Sequence, residues 1–271
     1  MNEHNEPPVE TQRFRNHRLR RGIYLLPSFL TVANLLCGYY AILATLHGGP
    51  TNMDNASKAI GFAILFDVLD GRVARATGTN TEFGKQFDSL ADVVSFGIAP
   101  AFLAFNWGVR GMQQSDAFEA HHVYQIGWLI TFTFVICCAW RLARFNIHGM
   151  AGGGMRYFVG LPTPPAAGMI AAVVHADHNP ITDWRISVLW LVVVLLLGVL
   201  MTSTIRYYGF KDVQWQRRQR SLILIVIGLL CGAAFFYSQF TLLLIATVYV
   251  LSGLTMHVVR IVRHRTASPP A

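Results

Sequence analysis

Four aspartates in one short stretch carry the clearest chemical signal in this sequence. Residues 67–92 read DVLDGRVARATGTNTEFGKQFDSLAD, and the stretch contains Asp67, Asp70, Asp88 and Asp92. Residues three or four positions apart lie on the same face of a helix. We therefore expect two helices, each with two carboxylates on one face, and we expect the carboxylates to converge if the helices are neighbours.

Converging carboxylates repel one another unless cations neutralise them. Ligand sets made only of oxygen suit Mg²⁺ or Mn²⁺, and two such ions can clamp a phosphate-containing substrate. Small residues at Gly71, Ala74 and Gly84 fall on the same helix faces and leave room beside the ions. Arg75 follows Ala74 and can pair with a phosphate. The pattern thus predicts metal-assisted phosphate chemistry.

A purely structural interpretation of the four aspartates is the alternative. In that case they only end two helices and pair with neighbouring cations, namely Arg72, Arg75 and Lys85. One pair of aspartates would fit this explanation. Four carboxylates at helical spacing, with glycines on the same faces, favour the metal site.

The composition indicates a membrane protein. Of the 271 residues 53% are hydrophobic and 13% are charged, and the mean hydropathy is +0.41, whereas soluble domains have about 25% charged residues. The net charge of +8 would suggest nucleic-acid binding in a soluble protein. Here the basic residues cluster between apolar segments, which is typical of membrane topology, so we expect no nucleic-acid partner.

The apolar segments predict an all-α polytopic integral membrane protein with about eight transmembrane helices. The predicted spans are 27–47, 57–77, 86–107, 123–146, 158–176, 184–204, 220–238 and 240–262. The fifth contains Pro162, at which we expect a helix to break or begin. The chain divides into a basic tail at 1–26, a catalytic transmembrane core at 27–204, additional C-terminal transmembrane helices at 205–262 and a second tail at 263–271.

The distribution of basic residues predicts the orientation. Most of the 22 lysines and arginines fall on one side if the N-terminus is cytoplasmic. Both termini and the aspartates then face the cytoplasm from a bacterial-type inner membrane. The tail at 1–26 is either an interfacial helix bound to membrane lipids or a solvated basic segment. Gly228 and Gly232 form a GxxxG pair, which predicts a homodimer.

The aspartate motif also carries a family resemblance. The spacing D-x2-D-G-x2-A-R-x8-G-x3-D-x3-D, from Asp67 to Asp92, resembles the signature of the CDP-alcohol phosphatidyltransferases. The resemblance implies a six-helix core, so that two of the predicted spans are additions, and a site for two divalent cations. It also implies that Asp67 and Asp88 bridge both ions, while Asp70 binds one ion and Asp92 binds the other and acts as the general base.

The same resemblance implies where CDP-diacylglycerol binds. The predicted contacts include the small residues of the motif and the two polar residues of the first span. They are Gly71, Ala74, Arg75, Thr81, Gly84, Thr31 and Asn34. Thr31 and Asn34 are polar in an otherwise apolar segment. They either contact the nucleotide or form hydrogen bonds to a neighbouring helix.

Other stretches bear on the acceptor alcohol. The chain is similar to the membrane-embedded phosphatidylserine synthases of bacteria and archaea in LPSFLTVANLLCGYYAI (26–42), FDSLADVVSFGIAPA (87–101), RLARFN (141–146) and FVGLPTPPAAG (158–168). This similarity implies L-serine as acceptor, with phosphatidylserine and CMP as products. The predicted serine contacts are Arg144, Asn146, Ser95 and Arg141. Alternatively, the two arginines only set the membrane topology.

These inferences predict direct displacement, in which Asp92 takes the proton of the serine hydroxyl. The nearest rival is the same chemistry with glycerol 3-phosphate, inositol phosphate or choline as acceptor. A cation transporter is the rival from another class, but its site would lie near the bilayer midplane. Here the carboxylates lie toward one face beside an arginine, which favours phosphate chemistry.

Overall fold

A computed structural model of the chain describes residues 29–78, 81–114, 118–149, 157–208 and 238–266. The helices are α1 (Phe29–His47), α2 (Pro50–Thr77), α3 (Glu82–Asp92), α4 (Ala99–Gly108), α5 (Phe118–Gly149), α6 (Thr163–Ala176), α7 (Trp184–Thr202) and α8 (Ser238–Thr266). Two short strands are β1 (Tyr157–Val159) and β2 (Arg206–Tyr208). The predicted tail at 1–26, nearly all of the predicted span at 220–238 and the Gly228–Gly232 pair lie outside the described residues.

Four helical segments are long and apolar enough to cross a membrane: Phe29–His47, Glu82–Gly108, Glu119–Ile147 and Trp184–Thr202. The expected all-α polytopic membrane protein is confirmed, because the described residues also form helices at the predicted spans in α2, α6 and α8. Helix α2 is less apolar, since its last turns carry the aspartate motif. In α8 the apolar part is the shorter segment Gln239–Gly253.

The predicted fifth span is wrong at its beginning. Residues 157–159 form β1, which pairs antiparallel with β2 and places Val159 opposite Arg206. Gly160 follows with a φ of 83°, a left-handed conformation that favours glycine. Pro162 is extended and α6 begins at Thr163, so the expected helix start at the proline is confirmed.

Helices α3 and α4 form one continuous helix that is interrupted by a π-helical turn at Val93–Ile98. π turns are rare and are frequently found at functional sites. This turn packs against α1 at a very close approach: a Cβ atom on Gly38 would lie 2.4 Å from Ser95 Oγ. Glycine at position 38 therefore allows α1 to contact the helix that carries Asp88 and Asp92.

The interior is built from helix pairs. Helix α5 packs along α7, while α6 lies between α2 and α8. The largest fully buried side chains include Phe96, Phe134, Ile60, Leu103 and Ile170. Large apolar side chains on the outer faces stay exposed, for example Phe29, Trp140 and Leu189, as expected for a surface in contact with lipid.

A second group of charged residues lies near the beginning of α2. Asp54 accepts a 2.7 Å hydrogen bond from Lys58 Nζ, and a 2.5 Å hydrogen bond joins its Oδ1 to His175 Nδ1 of α6. Partial burial would raise the pKa of Asp54, but the hydrogen bonds from Lys58 and His175 hold it below its usual value. Along the helix axis, Asp54 is about 20 Å from Asp67.

Candidate metal centre and substrate site

Three of the four aspartates meet between α2 and α3. Carboxylate oxygens of Asp67, Asp88 and Asp92 all lie within 4.8 Å of one another. Asp67 comes from the second half of α2, whereas Asp88 and Asp92 lie one turn apart at the end of α3. The structure therefore brings together residues from both halves of the motif.

Asp70 lies one turn further along α2 and is buried. Its Oδ2 accepts a short hydrogen bond from Thr31 Oγ1 of α1. It lies within electrostatic range of Asp67 and Asp88, although it is not among the three most closely grouped carboxylates. Helix α1 thus orients the fourth aspartate beside the cluster.

A second hydrogen bond from α1 reaches Asp92. Asn34 Nδ2 donates to Asp92 Oδ1 at 3.0 Å, and the backbone carbonyl of Asn34 accepts a 3.0 Å hydrogen bond from Ser95 Oγ. Asn34 therefore contacts both the last residue of α3 and the π turn that follows. All three residues are buried, so these bonds are made without competition from solvent.

The cluster fits a divalent cation. Three carboxylates at this separation repel one another strongly in a partly buried site. Asp88 Oδ1 is buried and has no hydrogen-bond partner among the described residues, which is costly for a charged acceptor unless a cation binds it. Lys85 does not serve this purpose, because its Nζ pairs with Glu82 at 2.7 Å. Oxygen-only ligands are those that Mg²⁺ and Mn²⁺ prefer.

A buried cation of the protein lies beside the carboxylates. The Arg141 side chain in α5 is only 8% exposed and lies within electrostatic range of Asp67 and Asp92. Its Nη1 donates to Thr163 Oγ1 at 3.2 Å, while its Nε has no partner among the described residues. A buried N–H without an acceptor is unfavourable. The site can therefore receive an anionic group at this point.

The predicted serine contacts Arg144 and Asn146 have hydrogen-bond partners of their own. Arg144 donates to the backbone carbonyls of Thr202 at 3.1 Å and Val159 at 2.8 Å, so it ties α5 to the end of α7 and to β1. Asn146 Nδ2 donates to Ser89 Oγ at 2.9 Å. Arg144 and Asn146 thus contact different neighbours in this structure.

The predicted CDP-lipid contacts on α2 and α3 surround the ends of the two helices. Thr81 is the N-cap of α3, and its Oγ1 accepts a 3.0 Å hydrogen bond from Gly84 N. The Arg75 guanidinium folds back over Gly71, where an added Cβ would lie 3.5 Å from it. Arg75 is exposed and lies within electrostatic range of Asp67. Ala74 is partly exposed beside it.

Comparison with known protein families identifies the family in which this arrangement of residues occurs. The family model described as CDP-alcohol phosphatidyltransferase matches residues 24–197, which include α1 to α6 and most of α7. This chain belongs to the CDP-alcohol phosphatidyltransferase family. The matched segment contains the carboxylate cluster, the two hydrogen bonds from α1 to the aspartates, and Arg141.

Two relatives of this chain share one name, and a third carries a related name. A CDP-diacylglycerol–serine O-phosphatidyltransferase of Helicobacter pylori is 35% identical over 208 residues, which cover 76% of this chain and 81% of the relative. One of Methanocaldococcus jannaschii is 31% identical over 238 residues, covering 88% of this chain and 96% of the relative. An archaetidylserine synthase of Methanothermobacter thermautotrophicus is 36% identical over 185 residues, covering 67% and 69%.

Some features of this phosphatidyltransferase site were missed by sequence reasoning. The π turn has no simple sequence signal, and the Asn146–Ser89 hydrogen bond joins residues far apart in the chain. Thr31 and Asn34 did have a signal, since both are polar within an apolar helix. The structure supports the helix-bonding alternative for both residues, and a contact with the nucleotide stays a prediction.

Proposed function

We propose that this protein transfers the phosphatidyl group of CDP-diacylglycerol to L-serine and releases phosphatidylserine and CMP. The observation that carries the proposal is the juxtaposition of the carboxylate cluster with the buried guanidinium of Arg141, whose Nε has no partner among the described residues. Carboxylates suit the metal-dependent half of this reaction, and a guanidinium suits an acceptor that has a carboxylate. The relatives named above carry the name of this activity.

Two divalent cations, Mg²⁺ or Mn²⁺, are proposed as cofactors. The residues that would hold them are Asp67, Asp70, Asp88 and Asp92. When bound, such ions neutralise the pyrophosphate and stabilise the departing CMP. Thr31 and Asn34 orient two of the four carboxylates through hydrogen bonds, so that less rearrangement is needed to bind the ions.

Asp92 is the proposed general base. Its Oδ1 is held by Asn34, which limits rotation of the carboxylate. Asp92 takes the proton of the serine hydroxyl as the serine oxygen attacks the β-phosphorus, and the bond from that phosphorus to CMP breaks. A carboxylate is a weak base for an alcohol, so its help comes in the transition state, where the proton becomes acidic, and depends on positioning.

Substrate contacts follow from the same arrangement. Exposed Arg75 supports the pyrophosphate, and the glycines, Ala74 and Thr81 leave room at the helix ends for the CDP-lipid. For serine, the Nε of Arg141, which has no partner in the described part of the chain, supports a contact with the carboxylate. Arg144, Asn146 and Ser95 stay candidates for the serine pocket, each with a hydrogen-bond partner of its own.

The proposed location is a bacterial-type inner membrane, with both termini and the active site toward the cytoplasm. The excess of basic residues on the side of the aspartates supports this orientation. A homodimer is proposed from the Gly228–Gly232 pair, which lies outside the described residues.

Product analysis with purified protein in detergent–lipid micelles tests the function. CDP-diacylglycerol and Mn²⁺ or Mg²⁺ are supplied, and labelled serine, glycerol 3-phosphate, inositol phosphate and choline are offered separately. We expect labelled phosphatidylserine only with serine and only with metal.

The other outcomes each discard a definite part of the proposal. Labelled lipid from another alcohol would keep the metal chemistry and discard the serine pocket. No product with any acceptor, from folded protein, would overturn the transferase and favour cation transport. Rapid CMP exchange into CDP-diacylglycerol without serine, through a trapped phosphatidyl-enzyme, would contradict direct displacement.

A further inference from the structure

Two buried hydrogen-bond donors meet where α6 begins. Arg141 Nη1 donates to Thr163 Oγ1 at 3.2 Å, and the two residues are 8% and 1% exposed. Arg141 Nε has no partner among the described residues. A hydroxyl that accepts a hydrogen bond keeps its own proton to donate, and that of Thr163 has no acceptor in the part of the chain that the structure describes. Both donors are therefore available to an anion.

The packing of α5 places Arg141 at the level of the proposed base. Helix α5 runs antiparallel to the long helix formed by α3, the π turn and α4, and two contacts fix the register. They are Cys138 with Gly97, where an added Cβ would lie 3.2 Å from the Cys138 Sγ, and Asn146 with Ser89, through the 2.9 Å hydrogen bond. Arg141 lies between the two contacts on α5, and Asp92 lies between them on the other helix. The two residues are therefore at the same height along this helix pair.

The packing of α6 places Thr163 near the other carboxylates. Helix α6 runs antiparallel to α2, and again two contacts fix the register. They are His175 with Asp54, through a hydrogen bond, and Gly168 with Ile64, where an added Cβ would lie 3.1 Å from the Ile64 Cδ1. Thr163 lies five positions before Gly168, so it falls about five positions after Ile64 on α2. That is the turn that carries Asp67 and Asp70.

The surroundings of Arg141 differ from those of an arginine that only joins helices. Arg144, one turn further along α5, donates to two backbone carbonyls. For Arg141 the only acceptor among the described residues is a hydroxyl, and its buried Nε is left without one. Since buried donors in proteins are nearly always satisfied, this guanidinium is better suited to a ligand than to a structural contact.

The position of Thr163 in its helix explains why its hydroxyl proton is available. Buried hydroxyls inside the helices donate to the carbonyl one turn earlier, as Thr45 does to Ala41 and Ser57 does to Met53. Thr163 is the first residue of α6 and has no earlier helical turn to bond to. The prolines that follow it at positions 164 and 165 have no N–H, so the Thr163 side chain is the principal donor at this helix end.

We propose that Thr163 is a specificity-determining residue for the acceptor, whose carboxylate accepts hydrogen bonds from the Thr163 hydroxyl and from Arg141 Nε. This inference rests on the proposed function, which supplies an acceptor with a carboxylate. A carboxylate has two oxygens and about four acceptor positions, so it can receive both donors. Binding it here holds the acceptor at the level of Asp92, where the proton of its hydroxyl is to be taken.

The experiment compares Thr163→Val, which replaces the hydroxyl by a methyl group, with Thr163→Ser, which keeps the hydroxyl. Thr45→Val is the matched control, because Thr45 is also buried but donates to its own helix. Wild type is first shown to make phosphatidylserine from serine with metal. For Thr163→Val we expect the KM for serine to rise about tenfold, as for loss of one hydrogen bond to a charged group. Its kcat and its KM for CDP-diacylglycerol should stay near wild type, as should all values for Thr163→Ser and Thr45→Val.

A double variant separates direct contact from orientation of the guanidinium. If Thr163 donates to the carboxylate, Thr163→Val should raise the KM for serine several-fold further in an Arg141→Gln background. If Thr163 acts only by orienting Arg141, it should have no further effect there, and the proposed contact would be overturned.

The remaining outcomes are distinct. If wild type makes no phosphatidylserine, the proposed function fails and this inference fails with it. If wild type makes phosphatidylserine but Thr163→Val keeps its KM for serine, or raises the KM for CDP-diacylglycerol instead, only the inference is overturned. Should Thr163→Val not fold, Thr163→Ala is measured in its place. Loss of folding in both would assign the hydroxyl a structural role and likewise overturn the inference.

Discussion

The side-chain amide of Asn34 donates a 3.0 Å hydrogen bond to Oδ1 of Asp92, although the two residues are 58 positions apart in the sequence. The contact joins α1 to the carboxylate that we assign as the base. Because the backbone carbonyl of Asn34 also accepts from Ser95, α1 is held against both α3 and the π turn. Asn34 is therefore a positioning residue for Asp92.

Removal of this amide should reduce turnover. For Asn34→Ala we expect kcat to fall about 10- to 100-fold, as for loss of a hydrogen bond to a charged group. The backbone contact to Ser95 stays intact, so folding should be preserved. Steady-state kinetics at saturating substrate, with thermal unfolding in detergent, checks both points.

Two further variants calibrate that result. Asn52→Ala also removes a side-chain amide, but this amide donates to the backbone carbonyl of Gly48 far from the carboxylates, so the variant should keep wild-type kcat. Asp92→Asn should lose activity by orders of magnitude while still inserting into membranes. Normal kcat in Asn34→Ala would show that Asp92 needs no orientation by α1, and near-wild-type turnover in Asp92→Asn would remove it from the mechanism.

Metal binding can be measured apart from activity. We expect wild type to bind two Mn²⁺ ions in an electron paramagnetic resonance titration, and Asp88→Asn to bind them roughly tenfold or more weakly, since the buried Oδ1 of Asp88 has no other partner among the described residues. Chelation should abolish activity, and addition of Mn²⁺ or Mg²⁺ should restore it.

Asp54→Asn is the matched control for that titration. Asp54 lies on the same helix as Asp67, and its lowered pKa keeps it charged at neutral pH, so the variant removes one negative charge outside the cluster. It should bind Mn²⁺ as wild type does. Equal loss of affinity in Asp54→Asn and Asp88→Asn would mean that general charge, and not the cluster, attracts the ion.

The close approach of α1 to the π turn predicts that alanine is destabilising at Gly38 but not at a glycine with open space around it. Gly38→Ala should lower the free energy of unfolding by about 1–3 kcal/mol, because its Cβ would clash with Ser95. Gly61→Ala in α2 has open space around the new methyl group and should be neutral or stabilise by up to about 1 kcal/mol. Thermal or denaturant unfolding in detergent measures both, and equal stability of the two variants would contradict the packing described here.

Substitutions of the two arginines of α5 should have different effects: one on the KM for serine and the other on the stability of the protein. Arg141→Gln is expected to raise the KM for serine by roughly tenfold or more, since it removes a charged group whose Nε–H has no partner among the residues that the structure describes. Arg144→Gln loses hydrogen bonds to the carbonyls of Thr202 and Val159, so we expect a lower melting temperature and a KM near wild type. A raised KM with normal stability in Arg144→Gln would instead support its predicted contact with serine.

Much of the donor site could be predicted from the sequence because it depends on local spacing. Aspartates three or four positions apart must share a helix face, so Asp67 with Asp70 and Asp88 with Asp92 were identifiable as pairs. Apolar segments of membrane-spanning length predicted helices at the positions where the described residues form them. The helix start after Pro162 likewise follows from the backbone of proline itself.

The acceptor side was harder to predict because it depends on which helix faces meet. Arg141 and Arg144 are three positions apart and look equivalent in the sequence, yet one lies beside the carboxylates and the other binds carbonyls of β1 and α7. The beginning of the predicted fifth span is a strand because a partner strand, β2, is available nearly fifty positions later. No local pattern specifies such a partner.

The sequence by itself determined the class of protein and the donor chemistry, since hydropathy and the carboxylate spacing are properties of single segments. Only the tertiary structure decided which polar groups meet: Thr31 with Asp70, Asn34 with Asp92, and Arg141 with Thr163. The physical reason is that these contacts join different helices. Their geometry depends on close packing at Gly38 and on the π turn after Asp92.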